Sequence, residues 1–464
     1  MTEAPLLIVG AGPAGMNAAI AAAEHGAAST VVEEAFDTGG QIHRRPLRQD
    51  GVPAPHPDGE ALRRRVGSLS HLVRVRTGAV AWGVFDGTRV AVTQDGRTDL
   101  LAPKALVLAP GAHEFVPPFP GWTLPGVMTP GAAQILVKTM GIAPGRRVVV
   151  AGTGPFLLAV AAQLVKADVQ VVAVLEGTAR LPWLTLPLHG WRTPGLLRDG
   201  FRYWATLAAH GVPLHHARMV VAAEGDGRVM TIAHAAVDRE WRVDPARVER
   251  IECDALLVGY GFVPRVQLAQ MAGCRLEYRP NVGGWVPVRD ANLATSVAGV
   301  FAAGDGAGVA GAIVAAAEGR LAGLAAAVHA GALDPAVLAR RRVPIERELR
   351  RLVPIRTALD RISALRSGLS ALVQDDTVVC RCEEVTWCEL RDAVGAGCLT
   401  YRSLKVATRV GMGACQGCFC WPSVARLVAS ARGSSPESVG PASARPPARP
   451  VTLGELAATG RGAG

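Results

Sequence analysis

Seven of the nine cysteines lie between Cys380 and Cys420, six of them in the stretches VVCRCEEVTWCEL and VGMGACQGCFC. Cys380 and Cys382 form a CxC pair. Cys415, Cys418 and Cys420 follow after a spacer that starts as a helix, ELRDAVGAG (Glu389–Gly397). Four thiolates from two short loops suit an iron–sulfur cluster or a zinc ion, since tetrahedral thiolate sites accept either metal. Cys388 and Cys398, inside and beside the spacer, read as packing residues, because a free cysteine behaves as a small buried hydrophobe. Cys253 and Cys274 lie far from the others.

A second chemistry is written in glycine. The N-terminal stretch LLIVGAGPAGMNAAIAAAEHGAASTVVEE gives a strand, the turn Gly10-Ala11-Gly12-Pro13-Ala14-Gly15, an Ala-rich helix, and a second strand ending at Glu33. Gly10 permits the tight turn, Gly12 lets the backbone approach a pyrophosphate, and Gly15 lets the helix lie close to the strand. The helix N-terminus offers free N–H groups to phosphate. Glu33 is placed to accept hydrogen bonds from ribose hydroxyls.

The pattern repeats at RVVVAGTGPFLLAVAAQLVKADVQVVAVLE. Gly152 and Gly154 match, but the third position is Leu157, and the acid, Glu176, comes one residue late. This predicts a second fold of the same kind with a degraded site, leaving NAD(P) or ATP as open occupants.

Two further stretches, ALVLAPGAHE (Ala105–Glu114) and TSVAGVFAAGDGAGVAG (Thr295–Gly311), each give a buried strand and a turn. With them the chain resembles the glutathione-reductase-like flavoproteins with two dinucleotide-binding domains, an α/β class. The resemblance implies FAD at the first site. It places Asp305, after Gly304, on the flavin ribitol, and adds cofactor contacts from Glu34, Gly40, Gln41, Gly111 and Ala112. The expected division is an FAD domain at 1–115 and 295–335, an inserted NAD-like domain at 116–294, linker helices at 336–372, a cluster domain at 373–430 and a Pro-rich tail at 431–464. No cysteine follows Glu33 in EAFDTGGQIHRR, and the inserted domain has no CxxC, so a disulfide-reducing pair is excluded.

The cysteine segment is similar to the bacterioferritin-associated-ferredoxin type of [2Fe-2S] domain, a small helical domain. More closely, it is similar to the version fused to flavoprotein α subunits of opine oxidases, of D-hydroxyproline and dye-linked proline dehydrogenases, and to the B subunit of hydrogen cyanide synthase. GGQIHRR, PFPGWTLPGVMTPGAAQ, VGYGFVP, GGWVPVRD and AAEGRLAG share that resemblance. It implies Cys380, Cys382, Cys415 and Cys420 as cluster ligands, with Cys418 as the alternate fourth. It also implies a partner: a flavin-containing β subunit that oxidises a secondary amine or amino acid, with room for a small ferredoxin-like subunit. Two other functions stay open, a self-sufficient NAD(P)H-dependent reductase and a zinc-bearing scaffold that holds a nucleotide. His113 and Glu114 read as structural, and no acid/base pair for substrate oxidation stands out.

The elements that must position these groups fit the composition. A chain of 464 residues, half of them apolar and 19% charged, calls for two or three cores. Three long apolar windows, Leu6–Ala23, Val148–Val165 and Ser296–Ala317, are broken by glycines and read as buried strand–helix cores rather than membrane spans. That predicts a cytoplasmic protein, peripheral to a membrane at most through its complex. The net charge of +10 is dispersed without interleaved aromatics, which argues against nucleic acid. The Arg-rich run from Ala339 to Arg356 reads as an exposed helical face, or as a docking surface for an acidic partner. Trp183, Trp191 and Trp204 mark either an interface or a core. The tail is expected to be disordered or to run along the surface.

Overall fold

The computed structural model describes residues 5–47 and 56–458. Its first body is built on five parallel strands in the order Val300–Ala302, Ala105–Leu108, Leu6–Val9, Ser29–Glu33, Val73–Thr77. They are continuous apolar runs because both faces are covered. Leu6, Ile8 and Val107 face the helices Pro13–Ala23 and Ala312–His329, while Leu7, Val9 and Leu106 face the antiparallel meander Val80–Phe85, Arg89–Gln94, Arg97–Leu101.

The two helices touch through small residues. A Cβ on Gly319 would collide with the carbonyl oxygen of Ala14, and one on Gly323 with that of Ala18. Gly319→Val should therefore push back the first turn of the glycine-loop helix. We expect destabilisation at the upper end of about 1–3 kcal/mol, read as a lower melting temperature. The helix Ala312–His329 is also the one described helix long and apolar enough to cross a membrane, and 67% of its apolar window is buried inside the fold.

A second parallel sheet runs Leu214–His216, Gln170–Glu176, Arg147–Gly152, Ala255–Gly259, Val127–Met128, with the meander Arg218–Glu224, Thr231–Val237, Val243–Glu252 packed on it. A short antiparallel ribbon, Ala112–Glu114 with Phe262–Pro264, carries the chain between the bodies. Leu268, Ala269, Ala272 and Cys274 already pack into the first core. The chain thus re-enters that body well before 295, the return expected from sequence. The signal was hidden because this return is a short helix, Gln267–Met271, rather than a strand.

The helix Pro335–Ser363, capped by the Asp334 side chain on the Ala336 N–H (2.7 Å), leads to the cysteine domain. That domain holds the helices Trp387–Gly395, Tyr401–Thr408 and Trp421–Arg432 around a small core. Thr386 and Glu389 form a capping box on the first of these helices. Trp122 fastens the domain to the second body: its Nε1 donates to the Val378 carbonyl (2.7 Å), and Arg381 stacks over its ring.

The described part of the tail runs along the surface as a strap. Gln416 donates to the Pro447 carbonyl (2.7 Å), the Ala448 N–H to the Trp82 carbonyl (2.6 Å), and Arg449 to Glu34 (2.9 and 3.0 Å).

Candidate functional site

The first dinucleotide cradle is open and suited to an anion. Gly10 has φ +102°, and a Cβ there would strike the Ala109 carbonyl; a Cβ on Gly15 would strike that of Gly10. Nothing but the Gly40 Cα, at 3.8 Å, lies near a Cβ on Gly12. The helix that starts at Pro13 has no side-chain cap, so the first-turn N–H groups of Ala14 and Gly15 face the loop with no side-chain acceptor. Glu33 holds the turn: it accepts from Ala11 N (2.7 Å) and Ala35 N (2.9 Å), while burial raises its pKa. Gly40 packs the GGQ turn onto Gly12. Gly111, at φ +71°, borders open space, and Ala112 starts the connecting ribbon.

At the other end of the cradle, Asp305 accepts from Ala310 N (2.9 Å) and Gly311 N (3.0 Å). The loop before it is fixed by a pair drawn from two separate motifs, Arg289 of GGWVPVRD and Glu318 of AAEGRLAG. Glu318 accepts from Gly304 N and from Arg289, each at 2.9 Å, and Arg289 also donates to the Ala302 carbonyl. Two of the expected contact residues have arginine partners. Glu34 is engaged by Arg265 (3.4 Å) and Arg449, and Gln41 accepts from Arg44 at the surface (3.2 Å). Local motif reading could not foresee these partners, since Arg449 comes from the tail. His113 is buried against Phe419 and held neutral, its pKa pushed down to about 4 by burial and Arg265. Glu114 accepts from Gly131 N (2.8 Å).

The second cradle is filled by the chain itself. The carbonyl of Ile362, in the last turn of the helix Pro335–Ser363, accepts from the hydroxyls of Thr178 (2.7 Å) and Thr153 (3.1 Å). The Ser363 hydroxyl lies 2.7 Å from where a Cβ on Gly154 would sit. The end of one helix thus lies against the turn Thr153-Gly154 that precedes the helix Pro155–Lys166, the region where an anion would approach that helix's N-terminus. Glu176 is sealed beneath, accepting from Thr153 Oγ1 (2.7 Å), Gly154 N (3.0 Å) and Thr178 N (2.9 Å), with its pKa pushed up to about 7 by burial. The place the sequence leaves open to NAD(P) or ATP is thus lined by the end of the chain's own helix.

Among the five neighbouring thiols, four group in pairs. Cys420 hydrogen-bonds to Cys380, whose thiol is held down at about 6 by that bond and by the N–H groups of Gly411, Glu383 and Cys382. Cys382 faces Cys415. Among the described residues, no three His, Cys, Asp or Glu side chains close on a single ion position. A two-plus-two grouping suits two bridged irons better than one zinc. Gly413 has no room for a Cβ beside Cys382. Tyr401 is wedged between Gly411 and Gly417, and its buried hydroxyl reaches the Cys420 sulfur at 3.8 Å. Cys418 points out of the group and accepts from Gln267 Nε2 (2.8 Å). Cys388 and Cys398 are both partly buried: Cys398 packs against the small core, while Cys388 faces Arg391 and Asp392.

Residues 4–331 match the family model for pyridine nucleotide-disulphide oxidoreductases, and residues 378–430 the model for the BFD-like [2Fe-2S] binding domain. The chain is 37% identical to the hydrogen cyanide synthase subunit HcnB of Pseudomonas protegens, over 89% of each chain. It is 35% identical to the A subunit of opine oxidase from Rhizobium meliloti, over 97% of this chain and 87% of the relative. Its fold matches the crystal structure of L-proline dehydrogenase from P. horikoshii with a TM-score of 0.70 and 21% identity, over 98% of this chain and 79% of the other.

Proposed function

Because the chain belongs to the pyridine nucleotide-disulphide oxidoreductase family and carries a BFD-like [2Fe-2S] domain, we propose that it is the electron-transfer subunit of a heteromeric amine or amino-acid dehydrogenase. FAD and the cluster are the cofactors these domains imply. When bound, they supply two-electron storage and single-electron relay.

The chain's own residues do the placing. The N–H groups of Ala14 and Gly15 and the space over Gly12 receive the pyrophosphate. Glu33 shapes the ribose end and Asp305 the ribitol end. Cys380, Cys382, Cys415 and Cys420 are the proposed cluster ligands.

The observation that carries the reading is one open cradle beside a four-thiol site, with the second cradle filled from within. Such a chain has no evident seat for a pyridine nucleotide donor, so reducing equivalents come from another subunit. Relatives named as subunits support this, and opine oxidase and L-proline dehydrogenase point to CH–NH donors.

The test is anaerobic spectroscopy of the enzyme purified with its companion polypeptide. An opine or proline-type donor should bleach the flavin and raise a reduced-cluster EPR signal in the complex, and leave the isolated chain oxidised. Donor reduction of the isolated chain would refute the division of labour. Zinc without iron in protein made anaerobically would refute the relay.

Tyr401 gives a further expectation. A hydroxyl donating to a ligand sulfur favours the more negative, reduced cluster. Tyr401→Phe should lower the cluster potential by about 60 mV, the equivalent of roughly tenfold for one electron, in an EPR-monitored redox titration.

A further inference from the structure

The segment between the second cradle and its meander leaves large apolar side chains in solvent. It folds as two five-residue helices, Arg180–Leu184 and Leu186–Gly190, followed by a 16-residue helix, Pro194–Ala209. Leu181 and Leu184, three apart on the first helix, Leu188 on the second and Trp191 just after it are all exposed. Phe201 and Trp204, three apart, share one side of the third. Leu188 is 74% exposed and Trp191 72%; the least exposed of the six, Trp204, still shows 52%. The inner side is satisfied, since Leu207 is buried and Leu197 packs onto Gly190. The outward stripe is therefore a second apolar face, larger than the scattered exposed hydrophobics of an ordinary monomer.

The charge around it has one sign. Arg180, Arg192, Arg198 and Arg202 are exposed and make no ion pair among the described residues, with Asp199 the one acid in the segment. The helix Pro335–Ser363 packs beside the Leu186–Gly190 turn. Along its length that helix also carries Arg340, Arg341, Arg347 and Arg351, exposed and without ion pairs among the described residues, whereas its Glu346 and Glu348 are already neutralised by Arg342, Arg350 and Arg320.

We propose that this face docks the companion oxidising subunit, through a patch on that subunit with an apolar centre and a carboxylate rim. The proposal rests on the subunit reading above and adds the surface and its chemistry. An apolar centre rich in Trp and Phe, ringed by arginine, is the composition of a protein interface. Pro182, Pro187 and Pro194 break residues 180–194 into short pieces ahead of the helix Pro194–Ala209, giving a contoured surface in place of one continuous membrane-lying helix.

The experiment uses the complex of the affinity-purified chain with the polypeptide that stays bound through size exclusion. Hydrogen exchange should show residues 180–209 protected in the complex relative to the isolated chain. Leu188→Asp and Trp191→Ala, both at solvent-facing positions, should each weaken association about 30-fold or more, leaving flavin and cluster absorption unchanged. Arg198→Glu with Arg202→Glu should slow association and flatten its salt dependence. An intact complex with 180–209 unprotected, or variants that bind normally, overturns the proposal while the subunit reading stands. A homodimer of the isolated chain broken by Leu188→Asp, or flotation with phosphatidylglycerol vesicles lost in that variant, overturns it in favour of a second copy or a lipid surface. An enzyme with no second polypeptide overturns both.

Discussion

A Cys420→Ser chain is expected to lose its cluster, and a Cys418→Ser chain to keep it. The two sulfurs are separated by one residue, Phe419, yet they face different surroundings. Cys420 is buried beside Cys380 and under the Tyr401 hydroxyl, whereas Cys418 takes a hydrogen bond from Gln267 of the flavin body. Removing a ligand thiolate leaves one iron short of a bond that a serine hydroxyl replaces poorly. Iron and sulfide content should fall at least about tenfold, on the scale of losses seen even for outer-shell changes at metal sites. Elemental analysis and the visible spectrum of the reduced and oxidised protein decide it. The opposite pattern would mean that the CxxC pair, Cys415 with Cys418, is the true ligand set.

NADH and NADPH at about 1 mM, the upper end of ordinary KM values, are expected to leave the flavin fully oxidised, whereas dithionite bleaches it. The reason is steric and electrostatic together. A pyrophosphate entering the second cradle would have to displace the Ile362 carbonyl from Thr153 and Thr178 and the Ser363 hydroxyl from Gly154. That carbonyl belongs to the end of a 29-residue helix packed on Ala312–His329 and on Leu186–Gly190, so displacement is not a side-chain movement. Anaerobic absorbance at the flavin band over several minutes is the measurement. Bleaching by either nucleotide would show that the helix end yields and would restore the reductase interpretation.

The residues legible in the sequence are those whose chemistry is local. Gly10, Gly12 and Gly15 specify a turn within six positions, and the strand before and helix after them complete the signal. The CxC pair is equally compact. What escaped was made by distance along the chain. Ile362 reaches Thr153 across 209 residues, and Arg449 reaches Glu34 across 415. Neither helix periodicity nor spacing encodes such meetings. Leu157 hinted that the second site had changed, but the change itself is a backbone carbonyl, which has no signature in the sequence. The choice between Cys418 and Cys420 was open for a similar reason, because the direction of each thiol depends on Gln267 and Tyr401 from other segments. Exposure was also hidden: the tryptophans near 190 suit a core as well as a surface until the inner side of their helices is seen to be filled by Leu197 and Leu207.

The strap formed by the tail sets an order on biosynthesis. The first sheet and the helix that covers it are complete once residue 329 has left the ribosome, and the second cradle is closed once Ser363 has followed. Cys415 and Cys420 emerge later still. The loop that carries them gains its last fixed contacts only when Pro447 and Ala448 lie over Gln416 and Trp82. Domains fold in the order they are made, so the nascent chain can take up its nucleotide while its thiols are still unmade or loose. On that order, iron loading is expected to come last. Chains truncated before Pro447 are expected to be yellow rather than brown, and a bulky insertion directly after Arg449 is expected to interfere with metal insertion before it touches the flavin.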